Sequence, residues 1–243
     1  MKVIGIIPAR YESVRFPGKP LADIDGKPMI QRVFEQAQKS NVLDELVVAT
    51  DDQRIFDVVK SFGGHVLMTD SNCANGTERC ADLLHKINPS FDIAINIQGD
   101  EPILNPSQID QLVNLLHSDF DIATLAHQLL LEEQSNPNIV KVALDSNGKA
   151  LAFSRDFSFI EHISKSIYKH IGLYGFKTDV LHKIVNLQST PNENFEKLEQ
   201  LRWLDHGYQI NVGITQHCNY AVDVPQDIDK ILKVLSAQKS PSK

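Results

Sequence analysis

The sequence predicts an α/β fold: a doubly wound, mostly parallel sheet of Rossmann-like type that carries a smaller inserted α+β subdomain. Three observations predict it. Short β-branched runs alternate with helical patterns over the first 125 residues, the rhythm of strand–helix–strand units. The runs are predominantly apolar, as parallel strands covered on both faces must be. After about residue 127 the rhythm changes to hairpin and charged-helix signals, which marks about 127–220 as an insertion in a single domain of 243 residues.

The strands are read in order at "VIGII" (3–7), "ELVVAT" (45–50), "GHVLMT" (64–69), "DIAINI" (92–97) and "DIATLA" (121–126). Four helical patterns separate them. In "PMIQRVFEQAQKS" the apolar Met29, Ile30, Val33, Phe34 and Ala37 share one helical face. "RIFDVVKSFGG" ends on glycines, as helix C-termini often do, and Asp52 stands where a cap belongs. "TERCADLLHKI", which Thr77 can cap, and "PSQIDQLVNLLHS" follow. In the insertion, "IVKVALDSNGKALAFSR" reads as two strands turning at Asn147-Gly148. "KHIGLYGFK" is a further strand, "NENFEKLEQLRWLDHG" a Glu-rich helix, and "QINVGITQ" a strand. A last helix follows Pro225, and the polar "QKSPSK" is expected to fray.

Composition excludes several classes. Hydrophobic residues make up 42% and charged residues 23%, ordinary for a globular chain with a buried core. No apolar run approaches the roughly 20 residues that span a bilayer, and no signal peptide is legible at the N-terminus. Three cysteines without a CxxC pair argue against a disulfide framework or a zinc site and for a reducing cytoplasm. The formal charge of −7 disfavours nucleic acid as a partner.

Against that acidic background one loop is conspicuously basic. "PARYESVRFPGKPL" (8–21) leaves the carboxyl end of the first strand and presents Arg10, Arg15 and Lys19 with Gly18 and two prolines. Ligands of open α/β sheets bind at that edge, and two arginines with a lysine can neutralise a triphosphate. The spacing matches neither GxxxxGK[ST] nor GxGxxG, and a solvated basic loop accounts for it equally well. "NIQGDEP" (96–102) puts Asp100 and Glu101 at another strand end. A carboxylate there can hold Mg²⁺, although Gly-Asp and Pro are also ordinary turn chemistry. In "VDVP" (222–225), Asp223 reads as a helix cap unless it comes close to Asp100, when the two could share a metal at a phosphoryl-transfer site. "NGTER" (75–79) opens a helix whose first amides, at Gly76 and Thr77, could meet a base or phosphate. A turn and a cap explain all of it except Arg79.

In this order, "IPARYESVRFPGKPLADIDGKPMI", "VVATDD", "GTER", "NIQGDEP", "PNIVKVALDSNGKALAFSR", "KHIGLYGF", "LEQLRWLDHG" and "VDVPQD" closely resemble the 3-deoxy-manno-octulosonate (KDO) cytidylyltransferases, from residue 1 to about 235. The resemblance implies transfer of CMP from CTP to KDO for lipopolysaccharide synthesis, a Mg²⁺ requirement, and a homodimer formed largely by the insertion. It implies that Arg10, Arg15 and Lys19 contact the CTP phosphates, and that Gly76, Thr77, Arg79 and Gln98 surround the nucleotide. Asp100 and Asp223 match the metal-binding acids, and with Arg10 and Lys19 they form the expected catalytic set. Arg155, His170, Tyr174, Glu199 and Gln200 match the sugar-binding side. Departures lie at "SRDFSFIEH" after Arg155 and at Val224 and Gln226, where the family usually has Thr and Glu. Two other readings remain at this stage: activation of a related acid sugar (8-amino-KDO or sialic-acid type), and a nucleotide-binding module without turnover.

Overall fold

A computed structural model describes residues 1–87, 90–117 and 120–239. The chain forms two compact units. The first comprises Lys2–Ser90, Asn96–Ser107 and Asn219–Lys243; the second comprises Met1, Phe91–Ile95 and Gln108–Cys218.

In the first unit, strand β1 (Val3–Ala9) leads to the basic loop, and a tight hairpin, β2 (Asp23–Ile24) and β3 (Lys27–Pro28), closes it. That hairpin turns on Asp25 and Gly26, both at positive φ, and its two-residue strands are too short to leave a periodic signal. Helix α1 (Met29–Ala37) buries Met29, Ile30, Val33, Phe34 and Ala37, the five side chains that its spacing selects. Strand β4 (Glu45–Thr50) pairs in parallel with β1, and β5 (Val66–Met68) in parallel with β4. Between them, α2 (Gln53–Ser61) starts at Asp52, whose carboxylate accepts from the amides of Arg54 and Ile55. Helix α3 (Gly76–Lys86) is capped by Asn75, which accepts from the Glu78 amide, and not by Thr77. Asn75 has the extended backbone that a cap needs, whereas Thr77 lies inside the first turn and is buried.

The chain enters the second unit at Phe91, returns to the first within β6 (Ile93–Asn96), and enters the second again at Gln108. After α4 (Pro106–Leu116) comes β7 (Ile122–Gln128), followed by the expected hairpin, β8 (Lys141–Leu144) against β9 (Ala150–Ser154). Gly148 supplies its positive φ. A short helix, α5 (Phe157–Ile160), uses the residues after Arg155, with Asp156 as its cap. Strand β10 (Ile167–Lys177) runs antiparallel to β7, with an irregularity between Ile171 and Tyr174. Thr124 is buried beside that bulge, its hydroxyl 3.0 and 2.9 Å from the carbonyls of Ile171 and Leu173.

After α6 (Thr178–Ile184), the Glu-rich stretch forms two helices where one was expected: α7 (Pro191–Glu196) and α8 (Gln200–Asp205). Lys197 breaks them apart in the left-handed region, at φ 57°. The break lets Arg202 donate to both carboxylate oxygens of Glu193, at 2.8 and 2.5 Å. In one continuous helix these residues would lie about 13 Å apart along the axis. Strand β11 (Ile210–Ile214) then pairs in parallel with β7.

The chain returns to the first unit for α9 (Asp227–Lys239). Val222 and Ile231 pack with Ile24 and Met29, flanked by Phe16 and Ile103. This core fixes the 222–223 segment against the end of the basic loop. From residue 240, the polar tail expected to fray lies outside the described residues, as does Ser118 at the end of the fourth helical pattern.

Candidate active site

The basic loop is folded by its own backbone. The Gly18 amide donates to the Tyr11 carbonyl at 2.8 Å, and Gly18 takes φ 71°. A Cβ there would also press within 3.1 Å of the Tyr11 ring. That ring carries the Arg54 guanidinium 3.3 Å above its centre, a cation–π contact. Closing the loop this way turns Lys19 inward.

Lys19 is the electrostatic centre of the first unit. Its ammonium donates to Asp100 at 2.7 Å and to the Val222 carbonyl at 2.9 Å. Only 16% of the lysine and 26% of the aspartate side chain is exposed, so water screens this pair less than a surface pair. Arg15 donates to Asp223 at 2.8 Å in a more open setting. The Val222 amide donates to the Asp100 carbonyl, which locks the two acidic segments side by side. Asp223 is therefore not a helix cap: Asp227 accepts from the amides of Asp223 and Val224, leaving the Asp223 carboxylate to Arg15.

These groups line one cavity of about 350 Å³, together with Arg10, Gly76, Arg79 and Gln98. Every expected nucleotide or metal residue lines it except Thr77, which is buried in the first turn of α3. Arg79 lines the cavity with its charge already committed. It donates to Thr69 at 2.6 Å and to Asp51 at 2.8 Å, and is 3% exposed. It ties Asp51 to α3. Arg10 is exposed at the cavity.

Sequence reading missed Asn75, Cys73, Ser13 and Gly99 as lining residues. Gly99 has a physical signature: a Cβ there would stand 2.9 Å from the Pro8 carbonyl, so the two strand-end loops meet only with glycine. Glu101 lies beneath, buried, and accepts from the Asn219 amide group. Burial, with the neighbouring Asp100 charge, pushes its carboxyl up to about 8.

The expected sugar-side residues lie in the second unit. His170 Nε2 is 3.0 Å from the Thr124 hydroxyl. That hydroxyl has one hydrogen and two carbonyl acceptors already, so the ring nitrogen is the donor. Burial drives the His170 pKa down to about 3, consistent with a neutral ring. The His170 and Tyr174 rings stand 5.4 Å apart, and Trp203 meets Tyr174 edge-on at 5.2 Å. Burial, then the charge of Glu199, raises the Tyr174 hydroxyl well above the usual tyrosine range. The Tyr174 hydroxyl interacts with the Thr124 side chain, and the buried Gln200 amide nitrogen has no hydrogen-bond partner among the described residues, a donor that a polyhydroxylated ligand would satisfy. The Arg155 guanidinium donates to the carbonyls of Pro137 and Asn138.

Comparison with known proteins bears on this geometry. The cytidylyltransferase family model matches residues 4–210. A 3-deoxy-manno-octulosonate cytidylyltransferase of Parabacteroides distasonis is 47% identical, over 97% of this chain and 99% of the relative. The Chlamydia pneumoniae enzyme of the same name is 46% identical, over 94% and 91%. Among solved structures, a CMP:2-keto-3-deoxy-manno-octonic acid synthetase complexed with CTP superposes with TM-score 0.91 and 37% identity, covering 98% of this chain and all of that one. A cytidylyltransferase from Leptospira borgpetersenii, 18% identical with TM-score 0.67, shares the fold.

Proposed function

The chain belongs to the family of 3-deoxy-manno-octulosonate cytidylyltransferases, and on that premise we propose that it transfers CMP from CTP to the anomeric 2-hydroxyl of KDO. The hydroxyl oxygen bonds to the α-phosphorus, the bond from that phosphorus to the β-phosphate breaks, and pyrophosphate leaves. The hydroxyl proton passes to solvent. The product is the activated acid sugar for lipopolysaccharide synthesis.

One observation carries the reading: Lys19 and Asp100 meet at 2.7 Å in a cavity that also holds Arg15 and Asp223. Both reactants are anions. Two unit charges 4 Å apart near a protein surface repel by about 4 kcal/mol, and a triphosphate multiplies that cost. Arg10, Arg15 and Lys19 offset it and stabilise the departing pyrophosphate. A bound triphosphate competes for Arg15 and Lys19, which releases Asp223 and Asp100 from their ion pairs.

Those two carboxylates suit Mg²⁺, which takes oxygen ligands and completes its shell with water and substrate phosphate. Among the described residues no three His, Cys, Asp or Glu side chains cluster as a metal site, so an all-protein cage is not what supports the assignment. When bound, the ion supplies charge neutralisation at the α-phosphate and lowers the pKa of the attacking hydroxyl. Around the sugar, Tyr174, Gln200 and His170 offer hydrogen bonds, with Glu199 beside them, and Arg155 offers a planar fork for the carboxylate.

The 127–220 insertion is also the part we assign to a homodimer. Leu131, Phe159 and Phe195 are exposed there, at 83%, 54% and 85%, apolar side chains that a subunit contact would cover. Sedimentation of the purified chain tests this; a monomer at micromolar concentration refutes it. No described helix is long and apolar enough to cross a membrane, and we place the enzyme in the cytoplasm with its CTP supply.

Pyrophosphate release across the four nucleoside triphosphates and several sugar acids tests the reading. Release with CTP and KDO alone is expected. Preference for an 8-amino or sialic-type acid would assign the altered segment after Arg155 to substrate choice. No release with any acid would leave a binding module.

A further inference from the structure

Lys141 opens β8 with no solvent exposure at all. Its ammonium donates to two main-chain carbonyls, those of Asn136 and Arg155, each at 2.7 Å. No carboxylate lies within ion-pair distance of it among the described residues. A buried ammonium with no carboxylate in direct contact is costly, and burial depresses its pKa below the ordinary lysine value against the opposing charges of Asp156 and Glu196. The strand does not need it, because main-chain pairing already joins β8 to β9 and to β10. What the ammonium does accomplish is to bind the 136–140 segment to Arg155.

The rest of Arg155 is held from other directions. Its amide donates to Glu196 Oε2 at 3.1 Å, while Ser154 Oγ donates to Glu196 Oε1 at 2.6 Å. Its guanidinium lies on the carbonyls of Pro137 and Asn138, at 3.2 and 3.3 Å. The same segment reaches His170, whose amide donates to the Val140 carbonyl at 2.9 Å. Carbonyl contacts at these distances are weaker than a bidentate carboxylate pair, so the guanidinium is kept in place yet remains exchangeable for an anionic ligand.

We propose that Lys141 and Glu196 are positioning residues for acid-sugar binding: from below and beside, they fix the backbone of Arg155 so that its guanidinium can take the sugar carboxylate. This rests on the reading of Arg155 as the carboxylate contact. Lys141→Met and Glu196→Ala are tested together with Arg155→Ala, by initial rates over ranges of KDO and of CTP. The KM for KDO should rise about tenfold in each variant, a change worth about 1.4 kcal/mol, with the KM for CTP unchanged. A purely structural role would instead lower the active fraction, scaling kcat and leaving both KM values alone. Glu196→Gln should recover most of the KDO affinity, since its amide oxygen can accept from Arg155 and its amide N–H can donate to Ser154. If Lys141→Met does not fold, Glu196→Ala, in a half-buried position on a short helix, decides the matter. A raised KM for KDO in Arg155→Ala but in neither partner variant overturns the positioning role alone. An unchanged KM for KDO in Arg155→Ala overturns the reading of Arg155 and the proposal with it.

Discussion

Replacing Lys19 by methionine keeps the aliphatic stem and deletes the ammonium. Two hydrogen bonds go: one to the Asp100 carboxylate at 2.7 Å and one to the Val222 carbonyl at 2.9 Å. Both are hydrogen bonds from a charged donor, each worth about 1.5–3 kcal/mol net where water is excluded. Asp100 faces a cavity and can rehydrate when its partner is gone, which reduces the sum to about 1.5–3 kcal/mol. For a chain of this size each kcal/mol moves Tm by about 2–4 °C, so a fall of about 3–12 °C is expected by calorimetry. Catalysis should suffer more. Removing one donor that stabilises developing charge costs about a hundredfold to a thousandfold in kcat, or about 2.7–4 kcal/mol of barrier. Pyrophosphate release at saturating CTP, KDO and Mg²⁺ measures it, at a temperature well below the lowered Tm. A kcat within about threefold of the parent, with the protein folded, would refute the role assigned to the ammonium.

Gly99→Ala should drive the turn that bears Asp100 away from Pro8, because the added Cβ would stand 2.9 Å from a backbone carbonyl. Overpacking of this kind costs about 1–3 kcal/mol; a lower urea midpoint and a raised KM for CTP would register it, and an unchanged KM would count against it. Desolvation pushes His170 down to about 3 against about 6.5 in an unfolded chain, so between those values the unfolded state binds more protons. Its contribution to stability is present above pH 6.5 and is lost as the pH falls toward 3. In His170→Gln the urea midpoint should therefore decline less between pH 7 and 5 than in the parent, and equal declines would exclude it. Lys197 occupies the left-handed region at φ 57°, at a cost of about 1–2 kcal/mol for a side-chain-bearing residue. Lys197→Gly should raise Tm by a degree or more, and a lower Tm would show that the lysine has a tertiary partner worth more than the strain.

Much of the fold was legible because burial leaves a period in the sequence. The five apolar positions of α1, the Asp52 cap and the Asn147-Gly148 hairpin all stand where local rules put them. The α7–α8 stretch was not legible, since its break is enforced by the Glu193–Arg202 pair across the turn, a tertiary contact with no local signature. Asn75 and Thr77 are both good capping residues in sequence, and only backbone conformation separates them. At the site, the cations of the loop were visible as an excess of charge. Which of them face the cavity, and that Arg79 spends its charge on Asp51 and Thr69, depends on folding. Asp223 illustrates the limit most clearly: its sequence context fits a cap, and only the Val222–Asp100 backbone bond brings it beside Asp100. Gly99 carried no charge or periodicity and emerges only from the space around it.

The central claim is that cations of the first loop and two sequence-distant aspartates act on one nucleotide. The most direct measurement is the turnover of Asp100→Asn, beside the parent, by pyrophosphate release from CTP and KDO across a Mg²⁺ titration carried to saturation. A loss of about a hundredfold or more at saturating Mg²⁺ is predicted. Turnover equal to the parent would contradict the account.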